Sequence, residues 1–228
     1  DVLSVQVHPD DATAAAMGEP DVGKTEMWYV LHADPGSELI CGLRDGTTPE
    51  VMREAIEKGD LERHLRRFKV KQGDSVLVRA GTVHAIGKGI VLAEIQQNSD
   101  LTYRLYDWNR VDSFGKAREL HIDKGIRVTD LGTDNESNRL DNSQPIASGQ
   151  TKELVSSEYF SAYRSVLGGE VSFQTNDKLH IVLNTGQHIY VSSETNSCVL
   201  ESGQCCLIPS CIERFTVSGM EEVLIYTA

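Results

Sequence analysis

The sequence contains no run of about 20 apolar residues, which excludes a membrane-spanning helix. It also lacks any excess of positive charge. Its 22 Lys and Arg stand against 34 Asp and Glu, a formal net charge of −12 at pH 7. Neither nucleic acid nor a membrane surface is an expected partner for such a chain. An anionic ligand would have to be held by a few locally placed cations against that field. No Cys-x-x-Cys pair occurs among the five cysteines, Cys41, Cys198, Cys205, Cys206 and Cys211. An odd number excludes complete pairing, and on a strand the adjacent Cys205 and Cys206 face opposite ways, so they cannot close together on one ion. The expectation is reduced thiols in a cytoplasmic protein. No signal peptide is visible and no Met opens the chain, so the first residues are expected to lie already inside a domain.

Strand signal is what the sequence does have. Glu26 to Leu31, Glu38 to Gly42, Ser75 to Val78, Ile90 to Gln96 and Thr102 to Tyr106 are short and rich in β-branched or aromatic residues. One helix is well marked by Thr48 as N-cap, Pro49 at the first helical position and Glu50 after it. Val51, Met52, Ala55 and Ile56 then follow at helical spacing up to Gly59. A second helical piece is expected from Asp60 to Arg67. Between Leu131 and Thr151 the composition turns to Gly, Thr, Asp, Asn, Ser and Gln, which predicts a linker and a domain boundary. Strands return at Tyr159 to Val166, Leu179 to Asn184 and Glu222 to Tyr226. With 228 residues, 39% of them hydrophobic, the chain can bury one large core or two small ones. The reading is a mainly β protein of sandwich or barrel type with helical insertions.

The opening strand raises a question of direction. Leu3, Val5 and Val7 alternate with Ser4, Gln6 and His8, so one set meets a core. Gln6 and His8 project side by side, which suits water and suits a metal ion equally.

An internal repeat bears on that choice. Gly73-Asp-Ser-Val-Leu-Val-Arg-Ala-Gly81-Thr-Val-His84 runs parallel to Gly203-Gln-Cys-Cys-Leu-Ile-Pro209-Ser-Cys211-Ile-Glu-Arg214. Both resemble the second motif of the cupin barrels, G-x5-P-x-G-x2-H, whose His is a metal ligand. The first copy keeps Gly81 and His84; the second keeps Pro209 and carries Arg214 in place of His. The hairpins upstream align Glu26 with Lys178. Two cations at ligand positions would repel a divalent ion, so the second half is expected to be a metal-free cupin-like domain that is structural or walls a cleft.

"LSVQVHPDD", "GKTEMWYVL", "AGTVHAIGKG" and "AEIQQNSDLTYRLYD", in that order, resemble the type I mannose-6-phosphate isomerases, zinc-dependent enzymes of cupin fold, in their bacterial short-chain branch. The resemblance runs from Leu3 to about Asp130 and more loosely onward to Ala228. The family's N-terminal strands are not in this sequence, so an N-terminally truncated chain is expected. The implied domains are a metal-binding catalytic cupin at 1–135, with a helical insertion at about 48–67, and a second cupin-like domain at 150–228. Position by position, Gln6, His8, Glu26 and His84 fall on the family's zinc ligands, implying one Zn²⁺ per chain. Arg104 falls on its active-site arginine, Lys24 on the lysine two residues before the ligand Glu, and Glu94 and Asp100 on acidic positions of the pocket. After Arg104, "LYDWNR" departs from the enterobacterial and fungal pattern.

The resemblance implies interconversion of mannose 6-phosphate and fructose 6-phosphate through an enediol or enediolate. Glu94 shares a strand face with Gln96 and is the candidate base, with a salt-bridge or ligand-orienting role as the alternative. Lys24 is open between phosphate contact, proton shuttle and solvent. Lys88, in a Gly-Lys-Gly turn, could meet the substrate phosphate or simply face water. Nitrogen and oxygen ligands also suit iron, cobalt or manganese. A cupin oxygenase using Fe²⁺ or Mn²⁺ and a non-catalytic sugar-phosphate-binding cupin are therefore the competing readings. A small sugar phosphate is the expected partner, with a monomer slightly favoured. His32, His64, His121, His180 and His188 receive no role.

Overall fold

The computed structural model describes residues 1–132, 139–140 and 145–228, and the chain divides into two compact units, Asp1–Leu140 and Asp141–Ala228. Strands dominate both, so the chain is mainly β.

The first unit runs β1 (Val5–Val7), α1 (Asp11–Ala16), β2 (Glu26–Ala33), β3 (Glu38–Leu43) and α2 (Pro49–Glu57). A 3-10 turn at Leu61–His64 leads into β4 (Leu65–Lys69), β5 (Ser75–Val78), β6 (His84–Ile86), β7 (Ile90–Gln96), β8 (Tyr103–Tyr106), α3 (Ile122–Val128) and β9 (Arg139–Leu140). One sheet has the order β4-β3-β6-β1-β8 and the other β7-β2-β5-β9. Trp28, Val30, Val76 and Val78 of the second sheet meet Leu39 and Cys41 of the first in a buried cluster. The other face of the first sheet, with Val5, Val7, Ile40, Val83, Ala85 and Leu105, packs on Met52, Ala55 and Ile56 of α2 and on Ile122 and Ile126 of α3. β1 is therefore covered on both faces, and its polar set of Ser4, Gln6 and His8 looks toward the second sheet. The signals read for α2 hold: Thr48 accepts from the Val51 N–H at 3.3 Å and Pro49 opens the helix. Burial of Met52 and Ile56 stabilises the unit by about 1.5–3 kcal/mol each.

The helical piece expected at Asp60 to Arg67 is not a helix. Only the 3-10 turn forms, and from Leu65 the chain extends, because β3 offers a free edge. Leu43 pairs with Leu65, Ile40 with Arg67 and Leu39 with Phe68. Non-local pairing overrides a helical local pattern there. Of the linker read at Leu131 to Thr151, residues 133–138 and 141–144 lie outside the described residues. Arg139 and Leu140 pair with Val76 and Ser75, and Gln150 already belongs to a strand.

The second unit comprises β10 (Gln150–Ser156), β11 (Ser161–Val166), β12 (Gly169–Gln174), β13 (His180–Asn184), β14 (Ile189–Ser192), β15 (Ser197–Leu200), β16 (Cys205–Ile208), β17 (Arg214–Gly219) and β18 (Glu222–Thr227). Its sheets are β10-β11-β18-β13-β16 and β12-β17-β14-β15, closed on a core that includes Val182, Ile189, Phe215, Val217 and Ile225. The internal repeat is real as topology. β2 lies between β5 and β7 as β13 lies between β16 and β18, and β6 lies between β3 and β1 as β17 lies between β14 and β12.

The side chains read from the repeat are another matter. Glu26 pairs with Val78, and in the second unit it is His180 that pairs with the matching Ile208. Lys178 lies two residues earlier, exposed, and its N–H donates to the Thr175 carbonyl in a turn. Arg214 opens β17 on the exposed face, and the next residue, Phe215, turns into the core. A one-residue offset at strand entry reverses every face that follows. The interior position is thus filled by Phe215, stacked on Phe173 at 5.2 Å between centroids and edge-on to His180 at 5.6 Å. Aromatic rings, rather than cations, occupy the place of a ligand cluster.

Candidate metal centre

Four segments of the first unit converge. His8 follows directly on β1, and its N–H-bearing neighbours pin the chain there: the Gly81 N–H donates to the His8 carbonyl at 2.7 Å, and the Lys24 N–H to the Pro9 carbonyl at 3.0 Å. Glu26 opens β2 between Val78 and Gln96. His84 opens β6, directly opposite Gln6 on β1 and opposite Cys41 on β3. Arg104 on β8 is Gln6's partner on its other side. His84, Gln6 and Arg104 therefore form one row across three strands, facing the same way.

The side chains meet inside. His8, Glu26 and His84 are each only 1% exposed. His8 Nε2 lies 3.1 Å from Glu26 Oε1, His84 Nε2 lies 3.8 Å from Glu26 Oε2, and the ligand atoms of all three fall within 4.8 Å of one another. Gln6 Nε2 lies 3.2 Å from His84 Nε2. A half-turn of that amide would present its oxygen instead, and the two orientations are chosen by their partners.

The tautomers follow from the outer contacts. His8 Nδ1 lies 2.8 Å from the Leu101 carbonyl oxygen and His84 Nδ1 2.8 Å from that of Thr82, so each Nδ1 carries the proton and donates. In a neutral ring each Nε2 then carries a lone pair: that of His84 meets the Gln6 amide and, farther off, Glu26 Oε2, and that of His8 faces Glu26 Oε1. Neither His8 Nε2 nor Glu26 Oε1 finds a hydrogen-bonding partner, although both are buried. Their 3.1 Å approach is a contact of two electron-pair donors, which a cation between them would satisfy. Orphaned donors of this chemistry fit a divalent ion held by imidazole nitrogen and carboxylate oxygen.

Charge agrees with that fit. Burial drives the His84 imidazole down to about 4, against the opposing pull of Glu26, so the ring is neutral near pH 7. Burial pushes the Glu26 carboxyl up, but the hydrogen bond and positive charge that His8, His84 and Lys24 supply when protonated outweigh burial and hold it at about 2, so it is a carboxylate near pH 7. Lys24 Nζ lies 3.2 Å from Glu26 Oε1.

The remaining residues read from the sequence divide. Glu94 stands opposite Trp28 across β2 and β7, on the inward face with Glu26 and Gln96. Its carboxyl is reachable by solvent, yet surrounding protein and then the charge of Glu26 raise its pKa. Arg104 donates from Nη1 to the Glu119 carbonyl at 3.0 Å and from Nε to Ser4 Oγ at 3.4 Å. Asp100 is not drawn into the cluster. It is exposed on the turn after β7, its own N–H donating to Asp21 Oδ2 at 2.8 Å. Lys88 is exposed at the β6–β7 turn, where its carbonyl accepts from Ser37 Oγ. That turn pairs with the far end of β2, where Asp34 donates to Gly89, whereas Glu26 opens the near end.

Sequence reasoning missed two neighbours. His121, given no role, accepts the Arg104 N–H at Nδ1, 3.1 Å away. Trp28 donates its indole N–H to Glu26 Oε2 at 3.0 Å. Only the second left a signal, an aromatic residue two places after Glu26 on the same strand face.

Fold and cluster together define a cupin protein with a candidate metal centre in its first barrel. A sequence profile described as "Mannose-6-phosphate isomerase, cupin domain" matches residues 150–227. Over 224 residues the chain is 40% identical to a mannose-6-phosphate isomerase of Bacillus subtilis, covering 98% of this chain and 70% of the relative. It is 39% identical over 226 residues to the mannose-6-phosphate isomerase of Streptococcus mutans, again covering 98% and 70%. The crystal structure of the mannose 6-phosphate isomerase from Bacillus subtilis superposes with a TM-score of 0.86 at 34% identity, covering 99% of this chain and 71% of that one. The chain belongs to the mannose-6-phosphate isomerase family.

Proposed function

We propose that this chain is an aldose-ketose isomerase that interconverts mannose 6-phosphate and fructose 6-phosphate, with one Zn²⁺ held by Gln6, His8, Glu26 and His84. The observation that carries the reading is the convergence of His8, Glu26 and His84 in the core, with His8 Nε2 and Glu26 Oε1 3.1 Å apart and both buried without a hydrogen-bonding partner, in a member of this family. When bound, the ion supplies Lewis-acid polarisation of the substrate's oxygens without consuming a proton.

The chain's own residues supply the rest. The reaction moves a proton between C2 and C1 and redistributes the protons on O1 and O2. Glu94 accepts the proton from carbon as a carboxylate and returns it to the neighbouring carbon, and its raised pKa makes it a stronger base than an ordinary carboxylate. Arg104, one strand away from Gln6, places a permanent positive charge beside the oxygen on which negative charge develops. Lys24 is the cation nearest the cluster and the group assigned to the substrate phosphate or to proton exchange with the sugar oxygens. The exposed positions of Lys88 and Asp100 support no step for them. Two domains, at 1–135 and 150–228, a cytoplasmic location and a slight preference for a monomer complete the reading, the location resting on a sugar-phosphate substrate and free thiols.

A coupled assay with mannose 6-phosphate against glucose 6-phosphate, run with metal analysis on protein purified without chelator, tests it. Turnover of mannose 6-phosphate alone, with about one zinc per chain, is the expected result. Oxygen uptake with bound iron or manganese would instead identify an oxygenase, and sugar-phosphate binding without turnover a non-catalytic cupin.

A further inference from the structure

We infer that Trp28 is a positioning residue of the metal centre: its indole N–H commits Glu26 Oε2, so that Oε1 alone is offered to a cation. This rests on the metal reading given above. Trp28 Nε1 donates to Oε2 at 3.0 Å, and both side chains are 1% exposed. Oε1, by contrast, makes no hydrogen bond of good geometry; it meets His8 Nε2 at 3.1 Å and is ion-paired with Lys24 Nζ at 3.2 Å. The two oxygens of one carboxylate are thereby made inequivalent by a single donor.

The same indole fixes a second ligand. Its ring stands edge-on to His84, with 5.4 Å between centroids and planes inclined by 74°. Trp28 is in turn held by strand pairing on both sides, to Val76 and Glu94, and by the cluster of Val30, Leu39, Cys41, Val76 and Val78. A donor fixed in the buried core keeps Glu26 from rotating to offer both oxygens. A carboxylate that ligates through one atom leaves more of the ion's coordination positions to water or substrate. Partners of this kind are worth about 10–100-fold in metal affinity.

The test replaces the N–H and nothing else. Site-specific substitution of Trp28 by 3-benzothienylalanine keeps the bicyclic shape and removes the donor; Trp28→Phe is the genetically encoded companion, and Val30→Ala controls for loss of packing in the same cluster. Zinc affinity is measured by competition with a chromophoric chelator, and the visible absorption of the cobalt(II)-loaded protein reports coordination number. The expected result is zinc binding weakened about 10-fold or more in both Trp28 variants, with weaker cobalt bands as Glu26 ligates through two oxygens, and neither change in Val30→Ala. Unchanged affinity and spectrum in the benzothienyl protein would overturn the inference. Failure of the unaltered protein to bind either ion would overturn the metal reading instead.

Discussion

His8 and His84 aim their Nε2 atoms at one carboxylate because each ring is held from behind by a main-chain carbonyl, that of Leu101 for His8 and that of Thr82 for His84, both at 2.8 Å. The rings lie 4.9 Å apart, centroid to centroid, on segments 76 positions apart in sequence (84 − 8). Two imidazoles and one carboxylate, fixed before any ion arrives, form a site with little reorganisation left to do.

Metal binding should therefore register as stability. An ion that binds only the folded chain adds about 2.7 kcal/mol at a concentration 100 times its Kd. Chelation should lower Tm and zinc should restore it. His84→Ala should abolish the zinc-dependent rise in a thermal scan, and a rise of equal size in that variant would place the ion elsewhere.

Arg104→Gln separates chemistry from metal. Arg104 touches Ser4 and the Glu119 carbonyl, and no ligand atom of the cluster depends on it. Metal content should stay at the level of the unaltered chain while kcat falls by about 10²–10³, the usual cost of losing one group that stabilises developing charge. Full turnover with zinc in place would remove Arg104 from the mechanism.

Glu94 gives a signed pH dependence. Its folded-state carboxyl lies above the ordinary value of 4.5, through burial first and the Glu26 charge second. As a base it must be ionised, so kcat/KM should rise with pH along a limb displaced upward from that of an ordinary carboxyl, and Glu94→Gln should remove that limb. For stability, a raised carboxyl favours the folded state below the unfolded pKa, and this contribution is lost as pH rises through the folded one. Glu94→Gln should hence raise Tm at pH 7 relative to the unaltered chain and leave it nearly unchanged at pH 4. The opposite order of the two shifts would contradict the assigned direction.

Gly23→Ala probes the approach to Lys24 and Glu26. A Cβ at Gly23 would sit 2.5 Å from the main-chain carbon of Asp10 and 2.5 Å from the main-chain nitrogen of Asp11, and backbone cannot swing aside. The Gly23 N–H also donates to Asp11 Oδ1 at 2.8 Å, where Gln97 Nε2 donates as well. Ala at this position should cost about 1–3 kcal/mol by overpacking and should weaken zinc binding, because the segment that moves carries Glu26. Unaltered denaturation and zinc titration curves would show that the loop absorbs the strain.

Much of the scaffold was legible from local chemistry. β5 and β7 have the bounds read from their β-branched runs, and α2 begins where Thr48 and Pro49 announce it. Asp60 to Arg67 was misread because its helical pattern carries no information about the edge of β3 that pairs with it. Arg214 was misread for a different reason: spacing from Gly203 counts residues, whereas the face a strand presents depends on how the preceding turn delivers it. Trp28 received no role from the sequence, since a sequence does not say which atom its indole N–H will meet.

The sequence by itself supplied the candidate donors, His84 through its spacing from Gly81, and Gln6, His8 and Glu26 through the resemblance of their motifs to a family. Only the tertiary structure decided that they converge and which oxygen of Glu26 takes the Trp28 hydrogen bond. The physical reason is that residue type and local alternation are properties of the chain, while register between strands, tautomer and the partner of each buried polar atom arise from packing between segments far apart in it.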